Sequence, residues 1–111
     1  MKRLEDIQKG LKQFNMTATN VKIADGELVL RYHETDVVRV APLYEGVLIT
    51  LDNGGYQTAT TKRRMNQVFE TLTGQTSFQI IQRDFVWYLQ GTINDETYET
   101  VFVNGMTVFA F

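Results

Sequence analysis

Val21-Lys22-Ile23-Ala24-Asp25-Gly26-Glu27-Leu28-Val29-Leu30-Arg31-Tyr32 is the stretch that sets the fold class. Val21 and Ile23 alternate with polar neighbours, Asp25-Gly26 is a hairpin-turn signal, and Leu28, Leu30 and Tyr32 resume the alternation. The period of two returns over Asp36 to Ala41, where Val38 and Val40 share a face, and over Val47, Ile49 and Leu51. Pro42 stops the first of these runs or marks an edge position, because it cannot donate to a ladder. Phe78 to Gln82 and Phe85 to Leu89 read as two strands joined at Arg83-Asp84. Thr97 to Val103 and Thr107 to Phe111 read as two more, linked by Asn104-Gly105, the strongest short hairpin signal in the chain.

Two segments carry a helical period instead. Leu4, Ile7, Leu11 and Phe14 fall on one face of a short amphipathic helix, weakened by Gly10 and ended at Asn15. Thr61 to Thr73 forms the second, with Met65, Val68, Phe69 and Leu72 as its apolar stripe. Thr60 or Thr61 is its N-cap and Gly74 its stop. The predicted architecture is a single α+β domain over residues 1–111. It has a largely antiparallel sheet of six to seven short strands, with two helices packed on it. No βαβ series supports a doubly wound fold.

Composition excludes several function classes. Cysteine is absent, which removes disulfides, thiolate nucleophiles and Cys-ligated zinc; His33 is the only histidine. No metal or cofactor is predicted. The net charge of −2 argues against a general nucleic-acid binder, although no Lys or Arg follows Arg83 and the basic residues lie earlier. No apolar run approaches the roughly 18 residues of a spanning helix, and Met1-Lys2-Arg3-Leu4-Glu5-Asp6-Ile7 turns acidic too early for a signal peptide. These features predict a cytoplasmic protein without a membrane partner.

The candidate site is Lys62-Arg63-Arg64 at the start of the second helix. Each cation near a helix N-terminus costs roughly 0.3–1 kcal/mol against the macrodipole, so three in a row imply an anion, a partner or a local carboxylate. Unpartnered N–H groups at the helix start can receive an anion. The predicted ligand-binding set is Gly54, Gly55, Tyr56, Thr58, Thr60, Thr61, Lys62, Arg63, Arg64 and Asn66, with Arg83 added from the later turn. Its chemistry suits a phosphate, but the P-loop spacing is missing. The alternative is a glycine turn and threonine cap with solvated cations, paired with Asp52 or Glu70.

Elsewhere the residues read as structural. Trp87 is expected as a core anchor with Tyr88 at the sheet margin, Phe85, Trp87 and Leu89 sharing a face; stacking of bases on these aromatics is the alternative. His33 beside Glu34 and Asp36 lacks the nucleophile or oxyanion donors of an acid–base site. Asp95-Glu96 and Glu99 read as a solvated acidic loop without the EF-hand pattern.

The run Leu51-x-x-Gly54-Gly55-Tyr56-x-Thr58-x-Thr60-Thr61-Lys62-x-Arg64-Met65-Asn66, followed by Gln82-Arg83 and Trp87-Tyr88, resembles a family of small tailed-bacteriophage proteins. The likeness extends upstream through His33-x-Thr35-x-Val37-Val38 and downstream to Gly105-Met106. It covers about Tyr32 to Met106. It carries over no catalytic or binding residue. It implies a phage accessory product in the host cytoplasm, of a kind that binds a host protein, a nucleotide or a nucleic acid. The leading expectation is a non-enzymatic host-takeover or anti-defence protein using the Gly54–Asn66 surface. The alternatives are a sequence-tolerant nucleic-acid-binding accessory protein and a minor virion component. The apolar end Met106-Thr107-Val108-Phe109-Ala110-Phe111 suggests an edge strand through which a homodimer could form.

Overall fold

Alternating apolar residues turn one face of the early strands towards the core, and the computed structural model shows how those faces meet; it describes residues 4–72 and 74–111. The elements are α1 (Leu4–Leu11), β1 (Thr19–Ala24), β2 (Glu27–Tyr32), β3 (Thr35–Leu43), β4 (Gly46–Leu51), α2 (Ala59–Glu70), β5 (Thr76–Arg83), β6 (Val86–Ile93), β7 (Glu96–Val101) and β8 (Thr107–Ala110). The α+β class holds. Among the described residues there are eight strands, and they form two antiparallel sheets, ordered β1-β2-β3-β4-β8 and β5-β6-β7. Met1, Lys2, Arg3 and Thr73, the predicted end of the second helix, lie outside the described residues.

The five-stranded sheet presents Leu28, Leu30, Val38, Val40, Val47, Ile49 and Leu51 to the core, and α1 adds Leu4, Ile7 and Leu11. Ile80, Trp87, Leu89 and Phe102 cover the same core from the three-stranded side, with Met65, Val68 and Phe69 of α2 between. Trp87 is 1% exposed and packs edge-on against Phe102, ring centroids 5.5 Å apart. Its Nε1–H is the one buried side-chain donor or acceptor without a partner among the described residues. That cost is borne by the fold's largest buried side chain.

Pro42 does not end β3, which runs on to Leu43. Pairing with β2 stops at Leu28–Val40, so the missing Pro42 N–H faces no strand. The Asn104-Gly105 turn forms, with Met106 N–H donating to the Val103 carbonyl at 3.0 Å, but it does not build the predicted hairpin. β7 stays on β6, while β8 crosses to pair with β4. The crossing is pinned because Gly105 N–H donates to Leu51 O and Leu51 N–H to Met106 O.

Two contacts pair with the backbone along the small sheet's β5 edge. The Asn66 side chain of α2 pairs with Ile80 as a strand would: its Nδ2 donates to the Ile80 carbonyl at 3.0 Å and its Oδ1 accepts from the Ile80 N–H at 2.7 Å. The Phe111 carbonyl accepts from the N–H groups of Gln75 and Thr76. The β5 edge is thereby covered at Thr76 and Ile80. Replacing Asn66 by Ala should cost about 2–3 kcal/mol, since it strands two backbone groups that are largely shut off from water. Amide exchange at Ile80 should rise selectively, and an unchanged protection factor there would contradict the assignment.

Candidate functional site

The glycine turn and helix start are built by local hydrogen bonds, and those bonds decide what the segment can offer a ligand. Gly54 sits at φ +65° and Gly55 at φ +87°, conformations that favour glycine. A Cβ on Gly54 would lie 2.3 Å from Thr35 Oγ1, so close approach also fixes that glycine. Gly54 N–H donates to Asp52 Oδ1 at 2.7 Å, Gly55 N–H to Asn53 Oδ1 at 2.8 Å, and Tyr56 N–H to Asn53 O at 3.0 Å. These three amides are spent inside the loop and do not form an anion cradle. Tyr56 is 70% exposed.

The N-cap is Thr58, not Thr60 or Thr61. Its backbone is extended, and its Oγ1 accepts from Thr61 N–H at 3.1 Å, while Thr60 and Thr61 already lie inside the helix. The buried Thr61 hydroxyl is 2.9 Å from Thr58 Oγ1, so Thr58 and Thr61 hold each other.

The three cations divide. Arg64 turns inward and is 2% exposed. Its Nε donates to Thr19 Oγ1 at 2.9 Å, Nη1 to Gln67 Oε1 at 3.1 Å and Nη2 to Thr17 O at 3.4 Å; the Tyr32 ring lies 5.7 Å from the guanidinium. Burial, reinforced by the Arg63 charge and opposed by Tyr32, holds its pKa below the ordinary guanidinium value. It ties α2 to the start of β1 through neutral partners. Asn66 is the clamp on Ile80. Arg63 is exposed, and Lys62 reaches Gln82 Oε1 at 3.3 Å. Neither forms an ion pair among the described residues, so pairing with Asp52 or Glu70 does not occur. A shallow depression of about 440 Å³ runs beside them, bounded by Phe14, Ala59, Gln67 and Glu70.

Arg83 belongs to a different surface. It pairs with Glu99 of β7 and lies over the Tyr88 ring at 4.5 Å, on the outer face of the small sheet. Trp87 is the core anchor and Tyr88 is half-buried. Phe85 does not share Trp87's face: it occupies the turn at φ +67° and is 89% exposed. His33 stands in the β2–β3 turn at φ +53°, its N–H on the Ala18 carbonyl. The inward course of Arg64 had a spacing signal. It lies three residues after Thr61 and four before Val68, on the buried stripe of α2.

Hydrogen bonds from Gln90 and then Arg83 hold the Glu99 carboxyl below the ordinary glutamate value. A carboxyl depressed in the folded state adds stability that is present above its unfolded pKa and is lost as pH falls through the folded one. Carbon-detected NMR titration should therefore show Glu99 titrating at lower pH than an unpaired glutamate. Gln90→Leu and Arg83→Ala should each raise it. No movement in either variant would contradict the network.

A family model described as Kyanoviridae Gp96 protein matches residues 2–109, and the chain belongs to that family of phage proteins. No curated protein and no solved structure matches it.

Proposed function

We propose that this phage protein of the Kyanoviridae Gp96 family is a non-enzymatic binding protein, acting on a host-takeover or anti-defence target. It engages an anionic group of its partner through the exposed side of α2. The observation that supports this reading is the pair Lys62 and Arg63, cations at the end of the first turn and the start of the second, with no acidic residue in that first turn and no ion pair among the described residues. Lys62 in the first turn works against the macrodipole, Arg63 follows it without an ion pair among the described residues, and an incoming carboxylate or phosphate offsets the cost. The anion would be met by side chains over the shallow depression, since the glycine-turn amides already have partners.

Arg63 is exposed and Lys62 makes only an exposed hydrogen bond to Gln82, which separates binding from folding. The double variant Lys62→Glu/Arg63→Glu should fold as the parent does, with a slightly raised Tm because position 62, in the first turn, now complements the dipole. It should lose the partner recovered from infected cells with the parent protein. Recovery of the same partner in equal amount would refute the siting. A partner whose affinity falls steeply with salt, at a slope set by phosphates neutralised, would identify the anion as nucleic-acid phosphate.

A further inference from the structure

Asp84 and Phe85 form the two-residue tip of the β5–β6 hairpin at φ +51° and +67°. Such turns favour Asn-Gly or Asp-Gly, because a side chain on the second residue is strained there. The β1–β2 hairpin follows that rule with Asp25-Gly26. Phe85 breaks it and gains no burial in return, being 89% exposed. A bulky aromatic in a strained, exposed position with no partner in its own fold is the mark of an interaction anchor.

Its surroundings extend the surface. Phe102 N–H donates to Trp87 O, which continues the β6–β7 register and sets Val103, 62% exposed, beside Val86, 39% exposed. Lys62 reaches Gln82 at the same end and has no ion pair among the described residues, while Arg83, next to the turn, is already paired with Glu99.

The opposite end carries a groove of about 590 Å³. The first turn of α2 and the last residues of β4 and β5 lie at the hairpin end. The start of β4, the start of β5 and the residues after α2 line the groove, and α2 alone separates the two by about 18 Å. Val47, Leu72 and Phe111 supply apolar walls, Tyr44 stands 92% exposed at the rim, and Asp6 and Glu45 supply carboxylates with no cation among the described lining residues.

We infer that the Phe85 hairpin tip of one copy docks into the Tyr44–Glu45 groove of a second copy, head to tail. An aromatic anchor meets an apolar groove, and Lys62 beside the tip, without an ion pair among the described residues, meets Asp6 and Glu45. Two different patches are used, so the contact is heterologous and leaves a free tip and a free groove at the ends of every pair. It therefore propagates into a ring or an open filament.

Phe85→Gly separates this role from a structural one. Glycine relieves the turn, so Tm should rise by about 2–6 °C. Sedimentation velocity across about 10 µM to 1 mM, the range of weak self-association, should show the parent's mean mass rising while Phe85→Gly stays monomeric. Glu45→Lys, on an exposed turn, should also weaken association. A photo-reactive benzoylphenylalanine at position 85 should cross-link to the segment around Tyr44 of another copy. A parent that remains monomeric to 1 mM, equal association by Phe85→Gly, or cross-linking to any other face of the chain would overturn the inference. None of these readouts uses the Arg63 surface.

Discussion

The pairing of the Asn66 amide with Ile80 is the constraint on which this architecture rests. A three-stranded sheet must bury its apolar face against another layer, and its edge strand exposes unpaired backbone groups. A helix cannot hydrogen-bond a strand through its own backbone, because its amides and carbonyls are already committed. A carboxamide projecting from the helix supplies one donor and one acceptor at the spacing of a peptide group. Asn66 thus makes α2 the surrogate neighbour of β5, and the Phe111 carbonyl completes the cover at Thr76. The core between α2, Trp87 and the five-stranded sheet depends on that junction.

The same helix resolves the electrostatic problem posed by three consecutive cations. Arg64 leaves the field of solvent-exposed charges by turning inward, where hydroxyl, amide and carbonyl oxygens replace water around it. Only Lys62 and Arg63 remain as surface charge. Placing a guanidinium among neutral acceptors is costlier than pairing it, and lysine could not satisfy three separated acceptors with one ammonium point. The helix start therefore holds one fold-determining cation and two available ones.

Much of this organisation was legible in the residues. Leu4, Ile7 and Leu11 gave the first helix face, Met65, Val68 and Phe69 the second, and Asp25-Gly26 the first hairpin, because burial periodicity and turn stereochemistry are local properties. Division into two sheets was not legible, since alternation says which face is buried and is silent on which edge pairs with which. Asn104-Gly105 shows the difference: the turn forms as its residues dictate, yet the strand that follows joins β4. Asn66 and Thr58 carried the chemistry of ligand contacts and are used for internal hydrogen bonds instead. Phe85 looked like a strand residue because the pattern it continues is real. Only the three-dimensional register puts it on the turn.

The crossing after Val103 has a consequence for how the molecule assembles. β8 pairs with β4 across an intervening stretch that contains α2 and the whole β5–β7 meander. The β1–β4 strands can zip up from neighbouring hairpins, but their outer edge on β4 waits for residues made about sixty positions later. During synthesis β4 is an uncapped edge for that interval, and the Thr76 end of β5 lacks its carbonyl partner until Phe111, 35 residues on. Closure of both sheets thus falls to the Thr107–Phe111 segment, which emerges after the other seven strands. Folding becomes a late, concerted event, and chains paused before Thr107 are the species most exposed to strand-edge aggregation.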